Sequence, residues 1–482
     1  MLKQGRGAAC VGLLAILFGT ASGSAATRLK ARLLTPVSSY HSKAGDAIEA
    51  LIVPPACPEP LHALPAGSVL RGYVKSVHRV GLGIAHETAG MRVDFSELQF
   101  PGGESHEISS RLAGIDNARE RVDRRGAIHG IRATNSLSSR LGARLALEAF
   151  VHPVFLGPAL VVESGLFRFP DPEIVYGRGT ELSVDVVLPE SVPTPACPAE
   201  ERKASNDAPD EASRLVAALP YWSYSKRQPQ PMDLINLVFV GTRRDIEEAF
   251  SAAGWTGSRP NSMAAGLRVV RALAEESGYA TAPMRTLLLN GDEPDLSLQT
   301  ALNTFEKRDH LRIWEQPDEL EGRRVWASAA TRDVATTFSM GHPFGFTHEI
   351  QSNVDLERDK VVSDLQLTGC VESVEYVKRR PDMSPHSRKG VYTDFRVAVI
   401  VFDGCERPAE DFSDAAPEPP EALSVRVVRR LTLTTRNHFL RDNIVWRSVD
   451  ATRIGVEAVR HWYSRRSEDR RLAAATLRAS IQ

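Results

Sequence analysis

The chain has 482 residues, 42% of them apolar and 25% charged, with a formal net charge of -1. Single cores stop growing at roughly 250–300 residues, so this length implies at least two folded units with tails. A balance so close to neutral gives bulk charge no role in gathering nucleic acid or acidic substrates, and partners have to be sought locally.

At the start, Lys3 and Arg6 precede the apolar run AACVGLLAILF, and the small residues GTASGSAAT follow. That order is the pattern of a secretory signal peptide over residues 1–26, cleaved near Ala25 or Ala26. The run is shorter than the roughly 20 residues that span a bilayer, which argues against an uncleaved anchor. The expected location is therefore exported, periplasmic or secreted. Cys57, Cys197, Cys370 and Cys405 then remain, an even set suited to disulfides in an oxidising compartment. The near-copies PPACPEP and TPACPAE flank the first β-rich stretch and suggest Cys57 with Cys197. Cys370 opens one strand-like run and Cys405 closes the next, so antiparallel pairing would bring these two together. No Cys-x-x-Cys occurs, which disfavours structural zinc, thioredoxin-like redox chemistry and c-type haem.

Residues 27–190 read as short β runs separated by Gly, Pro and Asp, among them SVLRGYVKSVHRV, MRVDFSELQF and LSVDVVLP. Their alternation and turn signals predict an all-β barrel or sandwich, with one helical insertion at IDNARERVDRRG. Residues 191–217, rich in Pro, Ala, Ser and charge, read as a disordered linker. A second domain is expected over 218–405. It opens with the apolar LINLVFV, the turn Gly241-Thr242 and a helix from Arg243 closed by Gly254, in which Thr242 and Asp245 form a capping pair. A helix follows near Ala264–Glu276, then two strands about the Gly-Asp turn of LLLNGDEPDLSLQ. DHLRIWEQ, RRVWASAATRDVATTFS and FGFTHEI read as strands, and Asn353–Leu367 as a helix. Strands and helices so intermixed predict an α+β domain with a mixed sheet.

INLVFVGTRRDIEEAFSAAGW, FEKRDHLRIWEQ, RRVWASAATRD, THEI and VDLERDKVVSDLQLTGCVESV, taken together, resemble the C-terminal domain of the LssY family of bacterial proteins, over roughly residues 233–403. In that family the domain commonly follows a membrane-embedded phosphatidic-acid-phosphatase-like or DedA-like region; here β-type text stands in that place. The resemblance implies a cell-envelope setting. It assigns no activity and carries over no catalytic residue.

Candidate chemistry lies in three blocks of this domain. KRDHLRIW supplies Asp309, His310, Arg312 and Trp314, FTHEI supplies His348, and DLERD supplies Asp355, Arg358 and Asp359. His310 and Arg312 share one strand face, and a His with an Arg in one pocket suits a phosphate or carboxylate. With His348 alongside, acid-base work on a phosphoester becomes conceivable, and two His with one Asp could hold zinc, although no metal ligand is assigned and any cofactor is unknown. The competing reading makes DLERD a helix start, with Asn353 or Asp355 as its cap, Arg358 pairing at the surface, and Arg312 stacked on Trp314.

Residues 406–422 form an acidic, Pro-rich spacer, and 423–482 a basic extension: a strand in LSVRVVRRLTLTTRNHFLRDNIVWRSVD and then one or two helices. Its VRHWYSRRSEDRRL carries the charge and aromatics for contact with an anionic lipid surface. Two functions are left open: an exported envelope factor binding an unknown ligand or protein, or a hydrolase of phosphoester or lipid-like substrates using His310, His348 and Arg312.

Overall fold

The computed structural model describes residues 26–56, 64–82, 87–151, 168–194, 210–226, 230–338, 346–380, 390–413 and 422–442, with isolated positions 154, 448, 452, 455, 456 and 459. The N-terminal segment read as a signal peptide and the proposed Cys57–Cys197 pair lie outside them, as does all of VRHWYSRRSEDRRL but its first residue, Val459. The described fold is mostly β. Its first sheet has nine strands: β1 Thr27–Leu33, β2 Ala47–Ile52, β3 Val69–His78, β4 Gly90–Gln99, β5 Ser105–Glu107, β6 Ser109–Ile115, β7 Arg121–Val122, β8 Ala127–His129 and β9 Glu181–Val187. They run in the order β6-β9-β1-β2-β3-β4-β8-β7, with β5 beside β4. β6, at one end of this order, closes onto β4 where Ile108 N donates to Ser96 O and Phe95 N to Ser110 Oγ, so the sheet curls into a nearly closed barrel. Alternate residues such as Leu70, Val74, Met91, Phe95, Leu182 and Val184 fill it.

The second sheet has eight strands: β10 Leu237–Val240, β11 Thr256–Gly257, β12 Leu296–Ala301, β13 Arg308–Leu320, β14 Arg323–Phe338, β15 Phe346–Ile350, β16 Val371–Lys378 and β17 Arg396–Phe402. Their order is β11-β12-β13-β14-β10-β17-β16, with β15 also on β14, and the β10/β17 pair is parallel in an otherwise antiparallel sheet. Both faces are covered. Helices α3 Arg243–Ala252 and α5 Asp355–Thr368 lay Ile246, Phe250, Val361 and Leu365 against Leu237, Phe239, Leu311 and Ile400. On the other face α2 Glu211–Ala218 packs Leu215 and Val216 near Val238, Trp314 and Val399. Two-sided burial is why LVFV reads as a continuous apolar run. Each fully buried aliphatic or aromatic side chain contributes about 1.5–3 kcal/mol. The expected capping box of α3 is present, with Thr242 and Asp245 exchanging hydrogen bonds. Cys370 and Cys405 are joined in a disulfide beside this core.

Several local readings change. IDNARERVDRRG is no helix: Asp123 Oδ1 accepts from the N–H groups of Arg125 (2.8 Å) and Ala127 (2.9 Å), and Gly126 at φ 78° turns the chain between β7 and β8. The helix of this half is α1, Leu137–Val151, entered through Ser136, whose hydroxyl accepts from Ser139 N. The end of the segment read as linker folds into α2, capped by Asp210 and anchored by its apolar side. Leu287–Leu288 and β12 do not pair as a hairpin but join different sheets. The spacer is tethered at its start, since Phe412 is 1% exposed against Leu51, Val53 and Leu367, and Ala409 N donates to Thr368 O beside Gly369, which ends α5 in the left-handed conformation. LSVRVVRRLTLTTRN is helix, not strand; with helix α4 being Met263–Ala274, it forms α6, Leu423–Asp442. Its β-branched residues mislead, because docking decides: Arg436 donates to the carbonyls of Gly81 (2.6 Å) and Glu87 (2.9 Å) on barrel loops.

The barrel and the mixed sheet meet through buried charge. Arg32 of β1 donates to Asp364 Oδ1 of α5 (2.7 Å) and to the Ala253 carbonyl (2.7 Å). Asp364 Oδ2 accepts from Trp255 Nε1 (2.9 Å) and Lys360 Nζ (2.9 Å), and Lys360 reaches Glu181 of β9 at 2.6 Å, which also takes Lys30 at 3.0 Å. Burial alone would pull the Lys360 ammonium down, yet Asp364 and Glu181 hold it well above its usual value. Removing one member strands the others in a dry seam, so Asp364→Ala is expected to cost about 3–5 kcal/mol. Arg243→Gln, which breaks an exposed helical pair with Glu247, should cost no more than about 0.5 kcal/mol. Urea unfolding of the two variants checks the contrast, and similar midpoints would refute it.

Candidate functional site

The predicted residues fall in three separate places. His310 and His348 do come together, on Asp333. The β13/β14 register sets Arg308 opposite Asp333 and His310 opposite Thr331, and β15 brings His348 beside them. His310 Nε2 lies 3.0 Å from Asp333 Oδ1, Arg308 Nη2 donates to Asp333 Oδ2 at 3.0 Å, and His348 Nδ1 is 3.5 Å from that same oxygen. Thr331 Oγ1 sits 3.1 Å from His310 Nδ1, so both ring nitrogens of this 8% exposed imidazole are occupied. His310 therefore orients Asp333 and has no nitrogen left for a substrate. Burial alone would raise the Asp333 carboxyl, but His310 and Arg308 keep it well below the usual carboxylate range. His348 is the more open member. Its edge meets the Phe305 ring at 5.2 Å, and burial, helped by Arg308 and His310 against the pull of Asp333, pushes it down to about 4.

Arg312 and Trp314 belong to the core. Arg312 spends Nη1 on Asp233 (2.8 Å) and Nε on the Arg285 carbonyl (3.1 Å) and is 4% exposed, which leaves no open guanidinium edge for an anion. Trp314, 2% exposed, packs into the apolar face and does not stack on it. Asp355, Arg358 and Asp359 tie down the start of α5. Arg358 is buried, not a surface partner, and reaches Asp394 (2.7 Å), Asp359 (2.8 Å) and Asp355 (3.4 Å) over the Tyr376 ring. Asp355 accepts from Thr393 Oγ1 and Asp394 N, while the helix is preceded by Val354, without a side-chain cap. Among the described residues, no group of three or more His, Cys, Asp or Glu is placed to hold a metal ion.

Asp309 alone reaches a cavity. It points to the opposite face from His310 and accepts from Asn117 Nδ2 of the barrel at 2.7 Å, with Arg332 beside it at 3.3 Å and Asp116 paired to the same arginine. Above these residues opens a cavity of about 680 Å³ between the barrel, the mixed sheet and α6. Arg426, Arg429, Arg430, Leu433, Thr434 and Asn437 of α6 line it at helical spacing. The opposite side of α6 leaves Val428, Leu431 and Phe439 exposed. The spacing was available in the sequence, but it carries this meaning only once the segment is known to be a helix. Among the described residues, no helix is long and apolar enough to cross a membrane.

The fold and cavity define a mostly β protein whose helix-flanked mixed sheet is closed against a barrel-like sheet. Residues 219–396 match the family model described as the LssY C-terminus. The match takes in the strands from β10 to β16 and stops at the first residue of β17, so the barrel and α6 fall outside it. No curated protein matches the chain.

The His348 shift has a signed consequence. Between its ordinary 6.5 and about 4 the unfolded chain binds a proton that the folded ring refuses, so stability is lost as pH falls through that window. Titration of the His348 ring by NMR is expected to give a midpoint near 4, and acidification should destabilise the wild type more than His348→Gln. A midpoint near 6.5 would contradict the buried environment described here.

Proposed function

We propose that this is an exported, non-enzymatic protein of the cell envelope, built of a β-barrel domain and an α+β domain of LssY C-terminal type, that binds a small ligand where the two meet. The observation carrying the reading is the cavity of about 680 Å³, a size suited to a small molecule, whose walls come from the barrel, the mixed sheet and α6. Export is supported by the basic-apolar-small pattern of residues 1–26, and the Cys370–Cys405 disulfide agrees with an oxidising compartment. Native mass spectrometry of protein taken from its host should find a chain beginning near Thr27 and carrying a bound small molecule. Leu433→Trp, which fills the cavity from α6, should lose that molecule while keeping its fold. Retention by the tryptophan variant, or an empty wild-type protein, would end this reading.

A second reading, a hydrolase of phosphoesters or lipid-like substrates, is favoured by one observation, the meeting of His310 and His348 on Asp333. The accessible base in it is His348, with Arg308 as the nearby cation. It predicts that purified protein turns over a generic phosphodiester and that His348→Ala abolishes this with the fold intact. No turnover by the wild type discards it.

A further inference from the structure

The charges deep in the cavity wall are spent on the protein itself. Arg119 donates Nε to Glu120 (2.9 Å), Nη1 to the Glu276 carbonyl (3.1 Å) and Nη2 to the Asp171 carbonyl (2.6 Å). Lys360 gives its ammonium to Glu181 (2.6 Å) and Asp364 (2.9 Å), and Arg178 reaches the Asp411 carbonyl (2.7 Å). The acids are answered as well: Asp171 by Arg429 (2.9 Å) and Glu275 by Arg271 (2.8 Å), while Glu173 accepts from the Ser39 hydroxyl and the Val80 N–H. Arg426 and Arg430 of α6 are exposed, where salt screens their pull on an anion. A charged ligand thus finds its deep counter-charges already engaged.

What this wall lacks is hydrogen bonds of both senses. Two acceptors are unmade. Asp309, 0% exposed, uses Oδ2 on Asn117, while Oδ1, though 3.3 Å from Arg332 Nε, is buried without a hydrogen bond. Asp116 uses Oδ1 on Arg332, and its Oδ2 is buried without a donor. Two donors are unmade as well. Asn437, 0% exposed, accepts from Arg436 at Oδ1 and leaves Nδ2 buried without an acceptor, as is Nε of Arg32. All four residues line the cavity, and each such atom left alone costs about 1–3 kcal/mol. Phosphate and carboxylate only accept, and an ammonium only donates, so either would leave two of these atoms unmade. A hydroxyl donates once and accepts twice.

We propose that the cavity takes a neutral sugar, whose hydroxyl groups donate to Asp116 and Asp309 and accept from Arg32 and Asn437. The four residues stand on different elements: Arg32 on β1, Asp116 just after β6, Asp309 on β13 and Asn437 on α6. Meeting them together takes hydroxyls spread around one compact body, which a sugar ring supplies. The half-buried Phe169 ring in the same wall offers a surface for the ring's C–H face. This inference rests on the cavity being a ligand site and adds the chemical class of what it holds. The sugar is either free or one unit of a longer glycan.

The test is calorimetry on the full mature chain with glucose, N-acetylglucosamine and the β-1,4 disaccharide of each, beside glycerol phosphate and spermidine as charged probes. At least one sugar is expected to bind, and more tightly than either charged probe. Binding of a monosaccharide marks a free sugar, and binding of a disaccharide alone marks a stretch of glycan. Asn437→Leu, which removes the donor, should weaken binding by about tenfold or more, and Arg243→Gln, on α3 away from the wall, should leave it unchanged. Asp309→Asn removes a charge at nearly constant shape and should not tighten binding. Circular dichroism checks that each variant is folded. A wild type that binds none of the four sugars leaves water as the partner of these atoms and overturns the assignment. Equal affinity in Asn437→Leu and wild type, or tighter binding in Asp309→Asn, overturns it too. If the molecule retained in native mass spectrometry is an ion or carries no hydroxyl groups, the sugar falls while the cavity remains a ligand site; if Leu433→Trp still retains it, the cavity reading falls first.

Discussion

Four buried charges hold the barrel against the mixed sheet, Glu181, Lys360, Asp364 and Arg32, each bonded to the next, with the half-exposed Lys30 on Glu181 at their edge. An ion taken out of water loses several kcal/mol of hydration, and only near-complete pairing offsets that cost. Arg32 crosses from the barrel to Asp364 and to the Ala253 carbonyl, and Lys360 crosses back to Glu181, so sliding the barrel along the sheet by the length of one hydrogen bond would break these bonds together. A purely apolar seam would tolerate such sliding far better, since burial is non-directional. Directional pairing thus fixes how the barrel faces the mixed sheet, and Phe412, seated under the Arg32 and Arg178 guanidinium groups, fills the remaining apolar space.

The cavity is a consequence of that arrangement. Glu181, Lys360 and Arg32 of that charge network line it beside Asp309, and α6, pinned to the barrel by Arg436, lines it from another side. Neither half of the molecule encloses it alone. The Asp333 cluster is of another kind. Its residue types are those of a hydrolase, yet a histidine whose two nitrogens are both engaged works as a strut.

The mixed sheet and its helices were the more legible part. LVFV, the Thr242–Asp245 cap, the amphipathic helices and the Cys370–Cys405 pair all rest on contacts within a few residues or on neighbouring strands, and the blocks resembling the LssY C-terminus lie within the segment that the family model matches. The site was less legible. Residue type singled out His310, Arg312 and His348, but whether a polar side chain faces a pocket or a counter-charge depends on what the other strands bring, and Arg312 met Asp233, 79 residues away.

By itself, then, the amino-acid order determined what is local: the barrel's alternating strands, the Thr242–Asp245 cap, most helices of the mixed sheet and the family resemblance of one segment. Tertiary structure alone decided that α6 is helical, that Arg358 of DLERD is buried among carboxylates, and that arginines of α6 line a cavity. The physical reason is range. Periodicity and capping act within a few residues, whereas Arg32 and Asp364 stand 332 residues apart, and nothing in either neighbourhood announces that the two will share a hydrogen bond.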